Sequence, residues 1–152
     1  MRVETNSQEE TFALGRRLGE VAKQGQIYML NGESGSGKTI FTKGMAAGLG
    51  IADPVNSPTF TIMQEYSGGR LPLYHFDVYR IGDPKDMEEI GYDDYFFGKG
   101  VCLIEWAALI RELLPEGSIS VSIDKDLEKD FDYFDYRLIH IEGIEEDEIT
   151  GN

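Results

Sequence analysis

Eight consecutive residues, Gly32-Glu33-Ser34-Gly35-Ser36-Gly37-Lys38-Thr39, follow the spacing G-x-x-x-x-G-K-[ST]. Each residue type there has a chemical use. The glycines permit backbone conformations that turn successive N–H groups toward one point, and a helix starting at Lys38 adds the positive end of its dipole. A lysine in that place reaches the β- and γ-phosphates of a nucleotide, and the threonine hydroxyl ligates Mg²⁺. The alternative is a glycine-rich turn with an exposed lysine. The flanks disfavour it, because an apolar run precedes the loop and Phe41, Met45 and Leu49 recur at helical spacing after it.

A phosphate loop that does chemistry needs a carboxylate from a neighbouring strand, aimed at the metal or at an attacking water. Two acids qualify. Asp77 lies in LYHFDVYR, where strand alternation puts Leu73, His75, Asp77 and Tyr79 on one face and Tyr74, Phe76 and Val78 on the other. Glu105 closes the apolar run VCLIE, and ligands of open α/β sheets bind at such strand ends. For either acid the bland reading is a surface carboxylate. His75 is either a packed, hydrogen-bonded histidine or part of the site. Trp106 is either core or a cover for the site or a partner surface. His140 alternates within a strand and reads as structural, and Cys102 sits in an apolar run and reads as core.

The elements that must hold these residues are legible as pattern. Ser7 followed by Glu10 is a capping box, and Leu14, Leu18 and Val21 continue at helical spacing, which predicts a helix over 7–23. A buried strand is expected over 26–31 and a helix over 38–49, with Gly44 and Gly48 four apart, where they permit close packing against a neighbour. Extended runs over 59–66 and 71–79 flank Ser67-Gly68-Gly69-Arg70 and predict a hairpin. A short helix over 83–91, a buried strand over 101–105, a helix over 107–114 and strands over 118–123 and 136–141 complete the pattern. The sum is an α/β fold of the P-loop NTPase kind: a mixed sheet, parallel core plus antiparallel hairpin, flanked by helices. One domain is expected over 1–142, with an acidic tail over 143–152 expected to fray.

Composition narrows the partners. The net charge of −14 disfavours direct binding to nucleic acid or an anionic membrane, since both are held largely through Lys and Arg. It leaves nucleotide binding open, which needs local backbone donors and one or two cations. A single cysteine excludes an internal disulfide and a cysteine-type zinc site. No run approaches the ~20 apolar residues of a membrane span. Glu4, Glu9 and Glu10 in a polar N-terminus are unlike a secretory signal, so the expected address is the cytoplasm.

No glycine has an aspartate three residues before it and N-K-x-D is absent, so ATP is favoured over GTP. Arg80 and Arg111 are the only arginines between Arg70 and Arg137, which disfavours the arginine-rich lid of a small-molecule kinase.

The segments NGESGSGKT, VNSPTFTI, YHFDVYR and VCLIEWA, in this order, resemble the TsaE (YjeE) family, the small P-loop ATPase of bacterial tRNA threonylcarbamoyladenosine synthesis. The resemblance runs from about Ser7 to Ile123. It implies Mg·ATP binding and slow hydrolysis in support of the TsaD–TsaB pair, with tRNA held through those partners. It implies Gly32 to Thr39 as the phosphate cradle, Thr39 and Glu105 on the Mg²⁺ side, and Asp77 as a required carboxylate. Ser57-Pro58-Thr59 matches a switch near the γ-phosphate, with the Thr59 hydroxyl sensing nucleotide state. Ser7, Gln8 and Thr11 match the segment near the adenine, and Trp106 matches the family's tryptophan. This sequence departs at Glu33-Ser34-Gly35-Ser36, where the family more often has D-L-G-A. It departs again at Ala107-Ala108, where Pro-Glu is frequent, and in a longer charged loop after Ile123. A basic residue near the nucleotide is Arg137, Lys125 or Lys129. A non-hydrolytic ATP-sensing module and a small-molecule kinase remain the alternative functions.

Overall fold

The computed structural model describes residues 1–33, 35–56, 62–125 and 135–150. Ser34, the Ser57-Pro58-Thr59 segment, the start of the strand expected from 59, and Lys129 with most of its charged loop lie outside the described residues.

The chain opens with β1 (Arg2–Thr5), α1 (Gln8–Val21), β2 (Ile27–Asn31) and α2 (Lys38–Gly48). There follow β3 (Met63–Tyr66), β4 (Leu73–Asp77), α3 (Asp86–Glu89), α4 (Tyr92–Phe96) and β5 (Val101–Glu105). A 3₁₀ segment (Ala107–Leu113), β6 (Ile119–Asp124), β7 (Arg137–Glu142) and α5 (Glu146–Thr150) complete it. Among the described residues seven strands form one sheet in the order β1-β7-β6-β2-β5-β4-β3. Strands β4, β5, β2 and β6 run parallel, β3 pairs antiparallel with β4, and β7 and β1 extend the other edge antiparallel. This is the mixed sheet that the pattern predicts. The parallel strands all end at the same edge of the sheet.

Alternation sorts the side chains into two cores. Tyr28, Leu30, Leu73, Leu103, Val121 and Ile139 face α1 and α2 and pack with Leu18, Phe41 and Met45. Ile27, Phe76, Cys102 and Ile104 face the other way and pack with Met87, Phe96 and Ile110. His75, Asp77 and Glu105 therefore belong by alternation to the α2 side.

The start of α1 is the expected cap: Ser7 Oγ accepts from the Glu10 N–H at 3.1 Å. Its packing on α2 is unusually close. A Cβ on Gly44 would stand 2.1 Å from the Phe12 carbonyl oxygen, and one on Gly48 2.1 Å from that of Arg16. The complement comes from α1, where a Cβ on Gly15 or Gly19 would stand 2.3 or 2.2 Å from the Phe41 or Met45 oxygen. The two helices meet backbone to backbone.

The β3–β4 turn ties the far ends of both helices. The Arg70 N–H donates to the Leu49 oxygen at 2.7 Å, and its Nη2 donates to the Gly19 and Ala22 oxygens at 2.8 and 2.9 Å. A cation there satisfies orphan carbonyls at a helix C-terminus. Arg70→Ala is expected to lower unfolding free energy by about 1–2 kcal/mol, read by urea denaturation. An unchanged midpoint would mean that solvent serves those carbonyls equally well.

The structure departs from the sequence pattern at four elements. β1 was not anticipated, because a four-residue edge strand with one apolar residue carries little pattern; it pairs with β7 along its whole length. The expected helix over 107–114 is a 3₁₀ segment broken at Ile110 (φ −124°), and α4 was unread. The tail expected to fray carries α5 and buries Ile144 and Ile149 in the α1–α2 core, with Arg17 Nη2 donating to the Ile149 oxygen at 3.0 Å. No helix among the described residues is long and apolar enough to cross a membrane.

Candidate functional site

Where β2 leaves the sheet, the glycine loop turns the chain into α2. Gly35 (φ 78°) and Gly37 (φ 104°) hold left-handed conformations there, which a Cβ would strain. Gly37 is the residue that caps α2, so Lys38 and Thr39 form its first turn and the loop's backbone meets the positive end of the helix. Ser36 is folded inward and buried, and its Oγ has no hydrogen-bond partner among the described residues.

A cleft of ≈ 450 Å³ lies over this turn, lined by Gln8, Gly35, Gly37, Lys38, Thr39, Asp77, Glu105 and Arg137 among others. The parallel register sets Asp77 and Glu105 side by side at the ends of β4 and β5. Lys38 Nζ stands 3.5 Å from Glu105 Oε1. His75 Nε2 donates to Glu105 Oε2 at 2.7 Å, and Glu105 as acceptor fixes the proton on that nitrogen. Burial on its own would raise the Glu105 carboxyl. The hydrogen bond and charge of His75, then the charge of Lys38, outweigh burial and hold it below its ordinary value. Asp77 behaves differently: its Oδ1 accepts the Tyr79 N–H at 3.1 Å, a local turn that leaves the carboxylate on the cleft wall.

Trp106 follows Glu105 in a left-handed conformation (φ 64°) and turns outward, 48% exposed. Its ring meets the exposed Tyr79 at 4.8 Å between centroids, and Lys38 Nζ lies 5.7 Å from its centre. The core alternative for Trp106 is thereby excluded. Cys102 is core, its thiol pushed up to about 12 by burial.

The structure thus gathers Gln8, Gly35, Gly37, Lys38, Thr39, Asp77 and Glu105 around one cleft. Other nominated residues sit elsewhere. Ser7 serves as the α1 cap. The Thr11 hydroxyl is buried and bonded to Thr5 Oγ1 at 2.7 Å, so its methyl faces the loop beside Gly37. Gly32 and Glu33 form the loop's entry: a Cβ on Gly32 would crowd Ser36 Oγ at 2.6 Å and the Ile123 oxygen at 2.8 Å. Glu33 is exposed, and its carbonyl accepts the Ser36 N–H.

Two contributors were underread in sequence. Arg137 is built into the loop: from β7 its Nε donates to the Ser36 oxygen at 2.7 Å and its Nη2 reaches the Gly35 oxygen at 3.4 Å. Lys125 Nζ is 3.8 Å from where a Gly35 Cβ would stand. His75 shares a strand face with Asp77, and that alternation was the available signal for its place beside Glu105.

The sequence matches over residues 5–132 the family described as "Threonylcarbamoyl adenosine biosynthesis protein TsaE". It is 52% identical over 121 residues to the tRNA threonylcarbamoyladenosine biosynthesis protein TsaE of Bacillus subtilis (strain 168), covering 80% of this chain and 75% of that one. The protein of the same description from Treponema pallidum (strain Nichols) is 41% identical over 123 residues, 81% of this chain and 90% of its own. The fold is similar to a crystal structure of Bacillus subtilis YdiB, with a TM-score of 0.74 and 43% identity over 91% of this chain and 82% of that chain.

Proposed function

The chain belongs to the TsaE family of threonylcarbamoyl adenosine biosynthesis proteins, and from that premise we propose that its cleft binds Mg·ATP and hydrolyses it slowly, in support of a TsaD–TsaB-type transferase that modifies the tRNA adenosine next to the anticodon. The observation that carries the reading is the meeting of Lys38, on the first turn of α2, with Glu105 at the end of β5, in one cleft with Thr39 and Asp77.

The donor set suits magnesium. The Thr39 hydroxyl and the Glu105 carboxylate are hard oxygen donors, and Asp77 adds a second carboxylate beside them for the attacking water. No group of three or more His, Cys, Asp or Glu able to hold a metal occurs among the described residues. Mg²⁺ in nucleotide enzymes is held by one or two side chains together with substrate phosphates. When bound, it neutralises charge on the β- and γ-phosphate oxygens. Thr39 and Glu105 form the metal side. The loop N–H groups and Lys38 hold the phosphates. Asp77 orients the attacking water and takes its proton as the bond to the γ-phosphorus forms and the bridging oxygen leaves with ADP. The missing guanine-reading segments favour adenine, and Gln8, from the segment matched to the adenine side, lines the same cleft. The −14 charge supports RNA being held by the partners.

The exposed Tyr79–Trp106 pair at the cleft favours a second reading, in which bound ATP organises a docking surface without being hydrolysed. Reconstitution with the transferase subunits and tRNA separates the two, with phosphate release and modified adenosine measured together. Turnover that rises in the complex, and modification that stops after one round with a non-hydrolysable ATP analogue, are expected. Many rounds with the analogue would favour the docking reading. Failure of the purified chain to bind ATP in calorimetry would end both.

A further inference from the structure

Glu105 ends β5, and the next residue leaves the sheet in a left-handed turn. A glutamate at such a point has several rotamers open to it unless something holds the carboxylate. Lys38 is not a lasting holder, because the proposed chemistry moves it onto phosphate. Asp77, directly opposite in register, is engaged with the Tyr79 N–H. His75 remains. It is 2% exposed, fixed in the middle of β4, and its 2.7 Å bond takes Oε2 only.

We propose that His75 is the positioning residue for Glu105: it retains Oε2 throughout the reaction cycle, so that Oε1 alone faces the cleft once Lys38 has moved to the nucleotide. The inference rests on the reading of the cleft as a Mg·ATP site. A second observation points the same way. His75 Nδ1 is buried with no hydrogen-bond partner among the described residues. A buried imidazole left half satisfied works against folding, and an apolar residue would avoid that. Orienting a carboxylate needs the Nε2–H, and that is the hydrogen bond the described residues give this imidazole.

The test compares His75→Gln, whose amide nitrogen extends about as far as Nε2, with His75→Asn, whose shorter amide cannot reach Glu105. Trp106 is the only tryptophan and adjoins Glu105, so its fluorescence reports the site directly. Three quantities are read: ATP affinity in EDTA, the Mg²⁺ concentration at half-effect in the presence of ATP, and kcat.

For His75→Asn, ATP affinity in EDTA is expected to stay within about twofold while the Mg²⁺ requirement rises and kcat falls, each by roughly tenfold or more. His75→Gln is expected to recover most of both. Asparagine and glutamine variants that behave alike would overturn the proposal. So would a His75→Asn variant whose metal-free ATP affinity falls in step with turnover, or a pair that both fail to fold by circular dichroism, since each marks a merely structural histidine. Glu105→Gln keeps the two readings apart. If it retains full turnover and the wild-type Mg²⁺ requirement, the Mg·ATP reading falls. If it loses them while His75→Asn does not, only the role of His75 falls.

Discussion

Lys38→Ala is expected to lower ATP turnover by about two to three orders of magnitude, the loss typical of removing one donor aimed at developing charge. The reasons are local. Lys38 leaves the first turn of α2 beside the loop N–H groups, and its ammonium already lies among anionic and π-rich partners, Glu105 and Trp106. An ammonium on phosphate oxygens makes charge-assisted contacts, roughly twice as strong as neutral ones. The fold should tolerate the loss, because His75 continues to hold Glu105 and α2 keeps its packing on α1. Phosphate release under single-turnover conditions, with circular dichroism as the folding control, checks this. Wild-type hydrolysis by a folded Lys38→Ala protein would remove the loop from the chemistry.

The second large effect is on stability. Gly44→Ala should gain up to ~1 kcal/mol of helix propensity. Instead it is expected to destabilise the protein by about 3 kcal/mol net, because the new methyl would stand 2.1 Å from the Phe12 carbonyl oxygen. That neighbour is backbone in the middle of α1, so no rotamer change relieves the contact and the helices must part. At about 2–4 °C per kcal/mol for a chain of this size, the melting temperature should drop by roughly 10 °C. Gly48→Ala meets the Arg16 oxygen at the same distance and should behave alike. A Gly44→Ala protein as stable as the parent in urea titrations would show that the helices do not approach this closely.

What could be read in sequence was what depends on neighbours along the chain. The glycine-rich turn into α2, the strand before it, the cap at Ser7 and the alternation through His75 and Asp77 are local patterns, and the described residues of each stand where the pattern puts them. A general rule about strand ends nominated Glu105; its place beside Asp77 depends on the register of β4 and β5. The His75–Glu105 bond depends on the same parallel register, which joins residues thirty apart. Arg137 was one of three possibilities for the same reason: its carbonyl partner is 101 residues away. Trp106 was undecidable because its outward turn comes from a single positive φ in a non-glycine residue, which sequence rarely announces. Ile144 and Ile149 were hidden by the acids around them, since composition suggested solvent where two side chains were enough to dock the tail.

The glycine contact between α1 and α2 also bears on how the cleft moves. Helices cushioned by side chains can slide past one another by small repacking steps. These two have no cushion: carbonyl oxygens of each lie against α-carbons of the other. Gln8 at the start of α1 and Lys38 at the start of α2 are therefore carried on one stiff frame. The spacing of these two lining residues is set by main chain. A change in the distance between Gln8 and Lys38 would require the two helix backbones to part.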